Sequence, residues 1–251
     1  MINQALHKQA VAADSAEHRF VRMKVPITDW SVAAGLNSSF VAVTEFGDAA
    51  RDYPLVFVRA GTDDAGKPEI APIAVFGVQQ GQNLFVENGR WRTPYIPALV
   101  RVYPFCIGRI DAERFAVCFD ASWSGIGGSE GERLFDDQGA PTPFMAGVQQ
   151  QMELLESEVQ RTRLMCRRLR DLDLLREMRF DATLPDGSQL VVDGFLTVDE
   201  QKFNALPDNV VLELHRNGTL GLVHAHYVSM GGMRKLVEWH AERLAAKAKG
   251  S

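Results

Sequence analysis

The period of the apolar residues changes along this 251-residue chain, and that change limits its folds more than any motif. Up to about Phe119 the apolar residues come in short runs: "FVAVTEF", "LVFVRA", "IAVFGV", "NLFVENG" and "RFAVCFD". They are rich in Val, Phe and Ile and are broken by Gly, Pro, Asn and Asp, which is how strands and their turns read. Val148, Met152, Leu155, Val159, Thr162, Cys166 and Leu169 then recur at alternating spacings of four and three, one face of a helix. The pattern predicts a long helix over 144–178, with acidic residues in its early turns and basic ones later, as the helix dipole favours. Such a stripe is a core face; a homodimer seam is the sharper reading of the same residues.

Strand signals return after the helix. "RFDATLPDGSQLVVDGFLTVD" holds Pro185-Asp186-Gly187, a turn between two strands. "NVVLELHRNGTLGLVHAHYVSM" holds Asn217-Gly218, read as a second hairpin turn, just as Asn88-Gly89 reads as one upstream. Met233, Leu236, Val237, His240 and Leu244 mark a C-terminal helix, followed by a solvated tail, "AAKAKGS". The order is strands, helix, strands, helix. It predicts an α+β fold of mostly antiparallel β segments flanking one long central helix, with a C-terminal helix. Residues 1–19 are polar and expected to be loose. Residues 20–251 are expected to form one domain: a β-rich part over 20–143, the helix, then a second β segment plus helix over 179–247.

Hydrophobic residues at 46% and charged residues at 24% fit a globular protein, and the net charge of -5 disfavours nucleic acid as a partner. No run approaches the 18 or so consecutive apolar residues of a membrane span. The N-terminal residues lack the apolar core of a signal peptide. A cytoplasmic location is therefore expected, with peripheral envelope association as the alternative. Cys106, Cys118 and Cys166 match neither a disulfide framework nor a zinc pattern, and read as buried small side chains.

Candidate chemistry is sparse. His224 and His226, two apart on the second strand of the supposed Asn217-Gly218 hairpin, would share a face and so could share a metal. His215 would sit about 13 Å away along that ladder, so a carboxylate from elsewhere would be required. "GIGGSEG", residues 125–131, lacks the glycine, lysine and charge of a phosphate loop and reads as a flexible loop. Ser122, Ser124 and Ser129 have no nucleophile-elbow context. Asp63-Asp64 and Asp136-Asp137 read as turn formers. No catalytic set and no cofactor emerges.

The densest stretch is "GRWRTPYIPALVRVYPF", residues 89–105, with three arginines, four aromatic residues and three prolines. Arg90, Trp91, Arg92, Tyr95, Arg101 and Tyr103 are the candidate binding residues, with the arginines stacking on rings or pairing with acids such as Glu132. A packed β-loop scaffold is the competing reading, because large aromatic residues bury well.

"RDYPLVF", "GQNLFVENGRW", "YIPALVRVYPF", "GERLFDDQG", "VQRTRLMCRRLRDLDLL" and "TLPDG" run in order over residues 51–187. This ordered set resembles the SapC-like family. The resemblance implies a bacterial, non-catalytic accessory or binding protein associated with surface-layer or envelope function, with a protein partner or a peptide or glycan ligand. The alternative is an enzyme or enzyme subunit acting on a peptide or saccharide, with the option of a metal at His224 and His226.

Overall fold

The structure is a computed structural model that describes residues 2–111 and 114–249. The N-terminal half contains β1 (Ala10–Ala12), β2 (Arg22–Met23), β3 (Ser38–Phe40), α1 (Phe46–Asp52), β4 (Leu55–Thr62) and β5 (Pro68–Val75). It continues with β6 (Val86–Glu87), β7 (Arg90–Trp91), α2 (Ala98–Arg101), β8 (Phe105–Arg109), β9 (Phe115–Asp120) and β10 (Glu132–Arg133). The C-terminal half contains α3 (Pro143–Asp171), β11 (Leu175–Thr183), β12 (Gln189–Val198), α4 (Glu200–Asn204), α5 (Asp208–Arg216), α6 (Thr219–Ser229) and α7 (Gly232–Lys249). All strand pairs are antiparallel. The largest sheet has five strands in the order β11-β12-β4-β5-β3, and a second has the order β1-β9-β8. The chain is an α+β protein with a long central helix and a C-terminal helix.

α3 joins two apolar clusters. Met145, Val148 and Met152 pack with Phe105, Ile107 and Phe119 of the three-stranded sheet. About four to seven turns further on, Cys166 and Leu169 join the cluster that also holds Val56, Phe57 and Leu196 of the five-stranded sheet. Between them Thr162 is buried, and its Oγ1 accepts the N–H of Val43 at 3.0 Å. The stripe predicted from sequence is therefore core, with Leu155 half-buried at its margin, and it does not present a dimer seam. The helix starts where Thr142 caps Met145 N–H and Pro143 fills the first turn. It ends at Asp171, not near Met178. Leu174 N–H turns back to Leu169 O, and Asp173 takes a left-handed φ of 53°. The residues beyond gain more by pairing with β12, in register from Leu175↔Val198 to Thr183↔Gln189 with one bulge.

Other expectations need correction. Residues 2–19 are ordered: Leu6 and His7 are buried, and β1 pairs with β9. "FVAVTEF" is a strand only at Phe40; Val43–Glu45 form a 3₁₀ turn that runs into α1. "NVVLELHRNGTLGLVHAHYVSM" contains no hairpin. It forms α5 and α6, joined at Asn217-Gly218, so the second β segment ends at Val198. The supposed tail continues α7 as far as Lys249, while Gly250 and Ser251 of it lie outside the described residues. The other two turns fall where expected. Asn88 and Gly89 have φ of 50° and 73°, the geometry that matches hairpin twist. Gly187 donates to Leu184 O between β11 and β12.

Candidate functional site

The stretch 89–105 divides into side chains that face the core and side chains that face a cleft. Its first strand, β7, is only two residues long and pairs with β6. The hairpin tip is held from outside: Trp30 N–H donates to Gly89 O at 2.8 Å. A Cβ on Gly89 would lie 2.5 Å from Asp29 Oδ1, so glycine is needed for close approach as well as for φ.

Trp91 turns inward. Its Nε1–H donates to Tyr53 Oη at 2.7 Å, and its ring stands edge-on to Trp30 and Phe76. Tyr53 is itself buried, bonds Thr93 Oγ1 at 2.9 Å and donates to the carbonyl of Tyr95. Burial raises its phenol above the ordinary tyrosine range. Tyr95 donates to Glu45 Oε1, which also receives the N–H of Ala98 at 2.7 Å. Burial, then the Glu45 carboxylate, keeps the Tyr95 hydroxyl protonated. Tyr103 donates to Asp120 Oδ2 at 2.8 Å, and it too is raised by burial and by that carboxylate. Burial opposes ionisation of Asp120. Donors from Ser122, Gln9 and Tyr103 nevertheless hold its pKa below the ordinary value. Trp91, Tyr95 and Tyr103 thus each direct their polar atom to an internal hydrogen bond.

The arginines divide differently. Arg101 lies over the Tyr95 ring, 5.9 Å from its centroid. Arg92 pairs with Glu87 at 2.9 Å, not with Glu132, and lies 4.6 Å from the centroid of Trp239 on α7. Arg90 is exposed and makes no ion pair among the described residues. Arg92, Glu87 and Asn88 form one wall of a 340 Å³ cleft, and Trp239, Glu242 and Arg243 form the other. A neighbouring depression of 470 Å³ shares Glu87, Asn88 and Arg92 and adds Arg90. The structure thus brings Arg90 and Arg92 together and leaves Arg101 apart.

The cleft is preformed. Arg243 donates to Asn83 O at 3.0 Å, and buried Asn83 clamps Ala33 O and Phe85 N–H. Lys235 stands 5.0 Å from the Trp239 ring and donates to Asp52 O; burial lowers its pKa. Trp239 therefore carries cations from two residues. The α7 contribution was hidden in the sequence, because the apolar stripe through Leu236 and His240 signals only the buried face.

His224 and His226 do not converge. On α6 they lie two residues apart and so point in different directions. His224 is exposed and meets Phe203 edge-on. His226 is fully buried: its Nδ1–H donates to Leu55 O at 2.7 Å, and Nε2 accepts from Thr197 Oγ1 at 2.8 Å and Val198 N–H at 3.2 Å. Burial lowers its pKa. His215 sits exposed at the end of α5. Among the described residues no group of three or more His, Cys, Asp or Glu is placed to hold a metal ion. Glu130 of the glycine loop pairs with Lys24, just after β2, at 3.3 Å beside a 210 Å³ depression. Among the described residues no helix is long and apolar enough to cross a membrane.

No curated protein and no solved structure matches the chain. A family model does match: SapC, over residues 14–236, which takes in the five-stranded sheet, α3 and the hairpin wall of the cleft, while β1 and the α7 wall at Trp239, Glu242 and Arg243 lie beyond it. The chain belongs to the SapC family.

Proposed function

We propose that this SapC-family protein is a non-catalytic accessory protein of the bacterial surface layer or envelope, and that it binds an acidic partner segment in the cleft between the β6–β7 hairpin and α7. The observation that carries the reading is Arg92 opposite Trp239 and Arg243 in the cleft, with exposed Arg90 beside it in the adjoining depression. A guanidinium offers two parallel donors to a carboxylate, and Arg92 already presents its edge to one in Glu87. A ligand carboxylate would take the place of Glu87 while the Trp239 face keeps the guanidinium plane fixed. The surface-layer and envelope setting comes from the family resemblance.

Capture of envelope proteins by the immobilised chain tests this, with mass spectrometry of what is retained. Arg90→Gln with Arg92→Gln is expected to abolish the specific captures and leave the melt cooperative. Arg101→Gln, away from the cleft, is expected to retain them. Equal loss in the double variant and in Arg101→Gln, or no loss in the double variant, would remove the cleft from the proposal.

A further inference from the structure

The two faces of the β1-β9-β8 sheet differ. Phe105, Ile107 and Phe119 face the apolar cluster around α3. The other face carries the small side chains of Ala10, Ala12, Cys106, Gly108, Ala116 and Cys118, together with Asp120, whose carboxylate opposes ionisation of Cys106. Cys106 and Cys118 are register partners on β8 and β9. Asp120 N–H donates to Pro104 O, and Ile110 N–H to Arg114 O, which fixes the parity of the ladder. By that parity Cys106↔Cys118 is a hydrogen-bonded pair, with α-carbons about 5.5 Å apart. That spacing falls inside the range of about 4.4–6.8 Å that a disulfide spans.

The thiols are arranged unequally. Cys118 Sγ points across the ladder into the space over Gly108. A Cβ on Gly108 would lie 2.4 Å from that sulfur, so Cys118 occupies space that only glycine leaves open. Contact with Cys106 draws the Cys118 pKa down, against an opposing push from burial. Cys106 is pushed up, first by the same contact and then by burial. Cys118 keeps 6% of its surface exposed, beside half-buried Gly108. Cys166 differs on each point. It lies on α3 in the other cluster, and burial raises its pKa to about 12.

We propose that Cys106 and Cys118 form a redox-active dithiol, which a small hydroperoxide converts into an intramolecular disulfide. The Cys118 thiolate attacks a peroxide oxygen. An S–O bond forms, the O–O bond breaks, and the leaving alkoxide or hydroxide takes a proton from solvent. The Cys106 sulfur then attacks the Cys118 sulfenic acid. The S–S bond forms, the S–O bond breaks, and hydroxide leaves as water with the Cys106 proton. Two electrons pass from the sulfur pair to the peroxide, and both thiol protons end on oxygen. The inference is independent of the cleft.

The test is hydrogen peroxide added to the fully reduced, full-length chain, followed by alkylation and mass spectrometry. The expected product has lost two hydrogen atoms, links the peptide ending at Arg109 to the one beginning at Phe115, and leaves Cys166 alkylated. Dithiothreitol restores both thiols. The initial rate should rise with pH as the thiol pair loses its first proton, and it should do so at lower pH than for an isolated cysteine. In Cys106→Ser the reaction should stop at a sulfenic acid on Cys118, trapped by a 1,3-diketone reagent; this variant and a Gly108→Ala variant, expected to react more slowly, are checked for a cooperative melt first. The proposal is overturned if wild-type Cys118 runs on to sulfinic acid, if the bond forms with Cys166 or between chains, or if both thiols survive peroxide that fully oxidises a model dithiol.

Discussion

Two Asn-Gly dipeptides, identical in sequence, sit in opposite surroundings. Asn88-Gly89 closes a strand hairpin, with both residues at positive φ. Asn217-Gly218 joins two helices: Asn217 ends α5 at φ -91°, and Gly218 alone is left-handed at 82°. In the second case the Asn side chain serves the next helix, accepting from Thr219 N–H at 3.0 Å and from its hydroxyl. The dipeptide thus specifies a reversal through positive φ, and the flanks decide what is reversed. Around Asn88 the flanks are Phe85-Val86 and Trp91, β-favouring residues locked to a tyrosine. Around Asn217 the buried positions Thr219, Val223, His226, Ser229, Met233, Leu236 and His240 step by three and four, a helical stripe that crosses from α6 into α7.

The comparison can be broken in order of expected effect. Trp91→Ala should cost the most, about 3 kcal/mol, the lower end for a large aromatic residue because Trp91 is half-buried. Chemical denaturation reads it directly, and a wild-type midpoint would mean the hairpin is not anchored through Tyr53.

The helical side has its own anchor in His226. Its folded pKa lies below the ordinary value of about 6.5, so above that pH it is neutral in both folded and unfolded chains. As pH falls below 6.5 the unfolded chain binds a proton that the folded chain refuses, and stability drops. Protonation would also point an Nε2–H at Val198 N–H. A thermal melt from pH 8 to pH 5 should therefore fall on the acid side. Part of the slope should persist in His226→Gln, because burial lowers the pKa of His7 as well. An unchanged slope in that variant would place the acid sensitivity elsewhere.

The glycines give the most direct contrast. Gly89→Ala meets both a left-handed φ and Asp29, and should cost about 2 kcal/mol or more. Gly218→Ala meets the same φ with nothing within 4 Å, and should cost about 1 kcal/mol. Matched denaturation curves would show whether the difference of about 1 kcal/mol exists; equal losses would mean that Asp29 yields freely. Arg90→Gln should be the mildest, within about 0.5 kcal/mol, since its side chain is exposed and makes no ion pair among the described residues. Its effect belongs in partner capture.

The sequence by itself determined the class, the long helix stripe, the reversals at Asn88-Gly89, Pro185-Gly187 and Asn217-Gly218, and the strands that carry "LVFVRA" and "RFAVCFD". These follow from short-range physics: side-chain period, proline and the tolerance of glycine for positive φ. It also placed Trp91, Tyr95 and Tyr103 in a dense stretch without telling scaffold from surface. The tertiary structure decided the rest. It stopped α3 at Asp171 because β12 offered the following residues a partner strand. It turned the supposed His224/His226 face into one exposed and one buried histidine, since a helix rotates what a strand aligns. It brought Trp239 and Arg243 to Arg92 across about 150 residues, and set Cys118 opposite Cys106 through ladder parity. Each of these depends on which surface lies across from a residue, and no local preference along the chain encodes that.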